Sequence, residues 1–385
     1  MQPIFTMNDF IYLDYNSTTP VDKRVLEFML PYFNEKFGNA ASNSHAFGWI
    51  AKNAVDSARK KIAQLINCLD QEIIFTSGAT EAINLAIKGV FEAYQKKGNH
   101  IITFETEHKA VLDTCKNLEK KGARITFLSV DKYGNIDLEE LKKNISDKTM
   151  LVAVMLANNE TGLIHPIKKM AEIVHEKGSI LMCDATQAVG KIPVDVQAEH
   201  IDLMCLSAHK FYGPKGIGAL YVRRKNPRVT LISQMDGGGH ERGIRSGTLN
   251  VPAIVGFGKA AEIAQIEMNL DAEKLFFLRN ELEKNMLNLG NFFVNGTIRN
   301  RLPNTSNICF KGTKADDIIV QLKNIALATG SACCSAIAAP SHVLKAMNLS
   351  NEDAYSSIRF SLGKYTTQSE INSVIKEFEK IFSKN

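Results

Sequence analysis

Between about residues 55 and 225 the chain alternates between two hydrophobic periods, and this alternation restricts its possible folds more than any other feature. Short apolar runs of strand length occupy 101–104, 125–130, 150–156, 180–184, 203–206 and 217–222. Between several of them the spacing turns helical: Ile83, Ala86, Ile87 and Val90 fall at i, i+3, i+4 and i+7, as do Ile167, Met170, Ala171 and Val174. Helices that alternate with strands cover both faces of a sheet, and strands joined through helices run parallel. The expected class is therefore α/β with a mostly parallel sheet.

Near residue 236 the pattern breaks into Gly237-Gly238-Gly239-His240-Glu241-Arg242-Gly243. A long helical region follows over about 251–289, then a strand candidate at 307–310, a small-residue run at 328–340 and a helix bearing Ile371, Val374, Ile375 and Phe378. These read as a second, α+β unit, with the boundary inside the long helix and no flexible linker between the two. A length of 385 residues, 45% hydrophobic and 23% charged, suits a folded soluble protein, and no apolar run approaches the roughly 18 residues of a membrane span. The net charge of +5 is spread along the chain, so nucleic acid is not an expected partner. The first residues carry Asp9 and Asp14 without a basic stretch ahead of an apolar core, which makes the cytoplasm the expected compartment. Seven cysteines without a CxxC pair read as reduced thiols, Cys183 and Cys205 as inert core residues, and no zinc or other metal site is expected.

Three segments carry chemistry. In Phe75-Thr76-Ser77-Gly78-Ala79-Thr80-Glu81 a strand runs through small residues into a helix, an arrangement that suits an anion, although Ser77 or Thr80 serving only as a helix cap is, for this segment alone, the plainer reading. In Cys183-Asp184-Ala185-Thr186-Gln187 an apolar strand ends in a carboxylate, which either caps the next segment or pairs with a buried cation such as a protonated heterocycle nitrogen. In Ser207-Ala208-His209-Lys210 a strand end delivers a lysine able to form a Schiff base, where a solvated lysine is the plainer alternative. Taken together, an anion-binding helix start, an aspartate for a pyridinium and a lysine for an aldehyde are the groups that hold and tune pyridoxal phosphate.

With these segments in place the sequence resembles the pyridoxal phosphate-dependent cysteine desulfurases of the iron-sulfur cluster assembly and nitrogen-fixation type, within the class V aminotransferases. The resemblance runs from Ile11 to about Thr367. It rests on Thr18-Thr19-Pro20, Thr76-Ser77-Gly78-Ala79-Thr80-Glu81, Thr106-Glu107-His108-Lys109-Ala110-Val111, Asn158-Asn159-Glu160-Thr161-Gly162, Asp184-Ala185-Thr186-Gln187, His209-Lys210, Gly239-His240-Glu241-Arg242-Gly243, Arg245-Ser246-Gly247-Thr248, Gly330-Ser331-Ala332-Cys333 and Ser357-Ile358-Arg359-Phe360-Ser361.

The resemblance implies a fold-type I architecture: a large cofactor domain over 19–262 with a mostly parallel seven-stranded sheet, and a small domain made of 1–18 and 263–385. It implies that Lys210 carries the cofactor, Asp184 pairs with the pyridine nitrogen, Gln187 bonds the ring hydroxyl, and His108 stacks on the ring and assists proton transfer. The phosphate falls to Ala79, Thr80, Ser207 and His209, with Thr248 reaching in from a second subunit of a homodimer. Asn159 lies near the cofactor and shares the substrate carboxylate with Arg359. Cys333, on a loop of about 328–340, accepts sulfur as a persulfide while L-cysteine becomes L-alanine. An iron-sulfur scaffold or another acceptor then takes the sulfur. An aminotransferase or selenocysteine lyase of the same class, with Cys333 incidental, and a catalytically silent interaction protein are the alternative readings. Three positions depart from the pattern: Cys334 and Ala40, which stand where small residue and proline are usual, and the end of the chain at Asn385 soon after the final helix.

Overall fold

A computed structural model of the chain describes residues 10–329 and 339–383. Its strands are, in chain order, β1 (Ile11–Tyr12), β2 (Ile73–Thr76), β3 (His100–Phe104), β4 (Arg124–Leu128), β5 (Thr149–Met155), β6 (Ile180–Asp184), β7 (Leu203–Ser207), β8 (Gly218–Val222), β9 (Phe293–Val294), β10 (Thr305–Cys309), β11 (Ile325–Ala326), β12 (Ala328–Thr329) and β13 (Ser357–Ser361).

The largest sheet has seven strands in the order β2-β8-β7-β6-β5-β3-β4. All its pairings are parallel except those of β8, which runs against both β2 and β7. Six strands therefore share one direction, and their C-terminal ends gather along one edge. Every residue of β2, β3, β5, β6, β7 and β8 is buried, as near-continuous apolar runs covered on both faces require. Only β4, at the edge, is partly open.

The helices Ala79–Ala93 and Lys109–Glu119 close one face through Ile83, Ala86, Ile87, Val90, Val111 and Leu118. The helices Ala46–Leu65 and Ile167–Glu176 and the first half of the long helix Val251–Leu287 close the other. The long helix starts where the sequence placed it, with Pro252 in its first turn and the Asn250 side chain accepting from the Ala253 amide at 3.2 Å. Its second half turns to a separate core, where Leu275, Leu278, Leu282 and Met286 meet Ile308, Phe310, Phe360 and Phe378.

That second core is built on the antiparallel sheet β12-β13-β10-β9 and the helix Gln368–Phe382, which Thr367 and Glu370 open with a reciprocal capping box. The start of the chain belongs here too: β1 pairs in parallel with β11, and Tyr15 donates its amide to Ser361 O. Among the described residues no helix is long and apolar enough to cross a membrane.

Candidate active site

In a sheet of this kind, residues placed just beyond the C-terminal ends of the strands meet one another without long loops. β2 leads into Gly78 and the helix Ala79–Ala93, β3 into His108, β5 into Asn158 and Asn159, and β6 ends on Asp184. β7 ends on Ser207, and a single 3₁₀ turn, Ala208–Lys210, then carries His209 and Lys210. These are the groups expected from the sequence, brought to one sheet edge.

The anion cradle is tight. The helix starts at Ala79, with Gly78 as its cap and no side chain in the capping role, so neither Ser77 nor Thr80 serves as the cap. The first-turn N–H groups of Ala79 and Thr80 have no intrahelical acceptor. A Cβ on Gly218 would lie 2.7 Å from Gly78 Cα, and one on Gly78 would come within 4.0 Å of Ser207 Oγ. Two glycines thus let β8 and the helix start approach each other closely, with the Ser207 hydroxyl beside them. Glu81 steadies the turn by accepting from the Ser77 amide at 2.7 Å and from Arg245 Nε at 2.7 Å. The Arg245 contact holds the strip that carries Thr248, which is exposed, against this chain's own helix.

Lys210 Nζ donates to two main-chain oxygens, Asn16 O at 2.7 Å and Ser17 O at 2.8 Å. Asp184 is buried, and one of its oxygens accepts from the Thr186 amide at 3.0 Å. His209 has its ring on Thr18 Oγ1 at 3.1 Å; burial, and then the charges of Lys210, Lys215 and Lys191, pull its pKa down to about 4. His108 caps its helix by accepting from the Ala110 amide through Nδ1 at 3.1 Å, which leaves the proton of the neutral ring on Nε2. Its ring lies at the cleft surface, yet the surrounding protein desolvates it enough to lower its pKa. Lys210 and His342 act in the same sense, and Asp184 opposes them.

Next to His108 in the chain, Glu107 is fully buried. Its Oε1 accepts from the Met155 amide at 2.7 Å, and its Oε2 has no partner among the described residues. Burial, reinforced by the charge of Asp184, drives this carboxyl well above its ordinary range.

On the other side of the cleft, Arg359 reaches from β13. Its guanidinium donates to Asp14 Oδ1 at 2.6 Å, Ser17 Oγ at 2.8 Å and Asn159 O at 3.0 Å, while its Nε lacks a partner among the described residues. The Asn159 carbonyl is aimed by the preceding residue, since Asn158 Oδ1 accepts from the Glu160 and Thr161 amides at 2.9 and 3.0 Å. Gln187 is buried beside Asn16.

Two residues that sequence reasoning passed over sit at the centre of this arrangement. Asn16, 1% exposed, offers its carbonyl to Lys210 and Gln187, its amide oxygen to Lys191 and Asn304, and its amide nitrogen to Asn159 O and Thr305 Oγ1. Lys191 completes the group from one turn beyond Gln187. Their signal was weak because Asn16 meets Lys210 and Gln187 through its main chain, which no motif displays.

Cys333 and its neighbour Cys334 lie outside the described residues. The five described thiols are Cys68, Cys115, Cys183, Cys205 and Cys309, none of them paired. Burial raises the pKa of each: Cys115 and Cys309 are pushed up to about 12, Cys68 also moves upward, and Cys183 and Cys205 stand well above the ordinary thiol. None is suited to work as a thiolate.

The residues present fit pyridoxal phosphate. A cradle that a Cβ would fill, free amides at a helix start, a buried carboxylate and a strand-end lysine supply one partner each for its phosphate, ring nitrogen and aldehyde.

Known proteins agree with this geometry. The family model for aminotransferase class V matches residues 11–374. The chain is 53% identical over 367 residues to the cysteine desulfurase IscS of Anaeromyxobacter sp. (strain Fw109-5), covering 95% of this chain and 91% of that protein. It is 51% identical over 372 residues to the cysteine desulfurase IscS of Escherichia coli O139:H28, covering 96% and 92%. Among solved structures, a NifS-like protein superposes with a TM-score of 0.91 at 39% identity, covering 98% of this chain and all of that one. SspA in complex with cysteine superposes at 0.81 with 37% identity, covering 92% and 99%.

Proposed function

The chain belongs to the class V aminotransferase family and is a pyridoxal phosphate-dependent cysteine desulfurase of iron-sulfur cluster assembly; on that premise we propose the following division of labour among its residues. Ala79, Thr80, Ser207 and His209, together with Thr248 of a second subunit, take the cofactor phosphate. Asp184 pairs with the ring nitrogen, Gln187 bonds the ring hydroxyl, Asn159 lies alongside, His108 covers the ring face, and Lys210 is the covalent attachment point. Bound pyridoxal phosphate supplies an electron sink for the pair left at the substrate Cα.

Arg359 and Asn159 hold the carboxylate of L-cysteine. A planar guanidinium already fixed by Asp14 and Ser17 loses little freedom on engaging it. Lys210 takes the Cα proton, with Asn16 O and Ser17 O as the resting place of its freed amine. Cys333, as a thiolate, attacks the substrate sulfur. The new S–S bond forms as the carbon–sulfur bond breaks, its electron pair stays on the departing carbon fragment, and protonation there yields L-alanine. His108, kept neutral by its surroundings, is the group placed to move a proton on the cleft side.

The gathering of Lys210, Asp184, His108 and the free helix start at one sheet edge carries this reading. The unreactive state of the five described thiols supports the assignment to the Cys333 loop.

The same reading makes the enzyme a homodimer. Phe28, Leu30, Phe33, Phe37, Phe47 and Trp49, all from residues 28–49, are between 44% and 63% exposed, more apolar surface than a monomer keeps in water. We place the junction of the two domains inside the long helix, near 262; the helix belongs to the first core as far as Ala264 and to the second from Leu275. The unpaired thiols suit a reducing cytoplasm, and an iron-sulfur scaffold is the acceptor to be expected. Incubating the purified protein with L-cysteine and measuring alanine together with protein-bound sulfane sulfur tests the whole. Equal yields of the two in the first turnover are expected, and alanine without bound sulfur would overturn the persulfide route.

A further inference from the structure

The Gln187 amide is gripped at both ends. Its Nε2 lies 2.9 Å from Asn16 O, and its Oε1 lies 2.6 Å from Lys191 Nζ. The Asn16 carbonyl oxygen only accepts, so the amide presents Nε2 to it, and Lys191 Nζ, whatever its charge, donates to the Oε1 at the other end. One hydrogen of Nε2 is used by Asn16, and the other remains.

Lys191 has no other role among the described residues that calls for an amine. Its described partners are neutral amide oxygens, Gln187 Oε1 and Asn16 Oδ1 at 2.8 Å, and no described carboxylate pairs with it. The residue is half-buried, and its surroundings desolvate the amine, an unfavourable condition for an ammonium without a counter-charge. The charged groups around it are Lys210, which shares Asn16 with it, and Arg359; both work with burial to lower its pKa. Asp271 and Lys364 line the same small cavity from the long helix and from the segment after β13. A methionine would fill this space without the electrostatic cost.

We propose that Lys191 is a positioning residue: it holds the Gln187 amide so that Nε2, and not Oε1, is presented to the phenolic oxygen of the cofactor ring. The proposal rests on the reading that Gln187 bonds this oxygen. A donor there stabilises the oxygen in its anionic form, so it lowers the pH at which the visible absorbance of the bound cofactor titrates. When the amide is released to rotate, the donor is lost for part of the time and the midpoint moves up.

The test is a pH titration of cofactor absorbance, without substrate, on the wild-type holoenzyme and on Lys191→Met, Gln187→Ala and the double variant. Each single variant is expected to raise the midpoint by about one pH unit, and the double variant to go no further, because Lys191 acts through Gln187. Additive shifts in the double variant, or an unmoved midpoint in Lys191→Met beside a shifted one in Gln187→Ala, would overturn the proposal. If Gln187→Ala leaves the midpoint where it was, the placement of Gln187 on the ring oxygen is itself wrong. Lys191→Gln separates positioning from charge and serves also where Lys191→Met does not retain cofactor. It keeps an amide donor for Gln187 Oε1 but carries no charge, so a midpoint near that of the wild type supports the proposal, and one as far displaced as in Gln187→Ala counts against it.

Discussion

A single methyl group placed on Gly218 should weaken cofactor binding from the far side of the phosphate cradle. The added Cβ would stand 2.7 Å from Gly78 Cα, from Gly78 C and from Leu206 O, whereas ordinary contact begins near 3.4 Å. About 0.7 Å must be found, and all three obstacles are backbone. β8 cannot slide to provide it, because Gly218 is in register with Ser207 on one side and Thr76 on the other. The displacement therefore passes to the turn at Gly78 and to the amides of Ala79 and Thr80.

Overpacking of this kind costs about 1–3 kcal/mol of stability. An N–H···O bond to phosphate stretched by the same amount leaves hydrogen-bonding range, with a loss of about 1.5–3 kcal/mol, or roughly 10- to 100-fold in affinity. Urea unfolding of apo Gly218→Ala measures the first effect, and titration of the same protein with pyridoxal phosphate, followed by absorbance, measures the second. Lower stability with affinity unchanged within about twofold would show that the Gly78 turn does not hold the phosphate. Unchanged stability would refute the close approach itself.

Cys333→Ser should keep its cofactor and its spectral response to L-cysteine but form almost no alanine and no persulfide, whereas Cys334→Ser should stay largely active; mass spectrometry that places the extra sulfur on Cys334 would reverse these roles. Mixing Lys210→Ala chains with Thr248→Ala chains should restore activity, because each hybrid dimer then has one site with both lesions and one with neither, and no recovery would argue against a shared site. His100 and His165 are held near pKa 4 against an ordinary 6.5, by burial in both cases and also by the Arg124 charge at His100. The unfolded chain takes up these protons as pH falls below about 6.5 and the folded chain only near 4, so stability should decline across that window, with no contribution from these groups to its slope above it. Urea midpoints measured from about pH 4.5 to 7.5 should show the decline and a shallower slope in His165→Gln; an unchanged slope in the variant would refute it.

The sequence was most legible where a residue's side chain does its work. Strand ends read from apolar runs agree with β3 to β8 within two residues, and Asp184, Ser207 and Lys210 stand at those ends because a strand that must be buried can place a polar group only where it stops. Asn16 was illegible for the opposite reason: it serves Lys210 and Gln187 through a carbonyl that every residue possesses, and its partners are 171 to 194 positions away. Lys191 gave no signal, since nothing local shows that the turn after Gln187 is covered by residues near 304 and 362. Glu107 was visible only as part of a motif; that its carboxyl accepts from the Met155 amide with its other oxygen unpaired among the described residues depends on β5 lying beside β3.

The pairing of β1 with β11 has a consequence for the order in which the enzyme is made. Asn16 leaves the ribosome long before its partner, since its amide bonds to Ser361, 345 positions later, and β1 waits for Ile325 and Ala326. At a synthesis rate of roughly 5–20 residues per second, that interval is about 20 to 70 s. The seven-stranded sheet can assemble long before then, so the nascent chain presents Lys210 on a nearly complete scaffold whose floor is still missing. The last strand to emerge, β13, delivers Arg359 and pins the first segment of the chain in the same event. Competence for the substrate thus arrives only with β13, and a message truncated before residue 357 yields a protein with an intact sheet and no finished site.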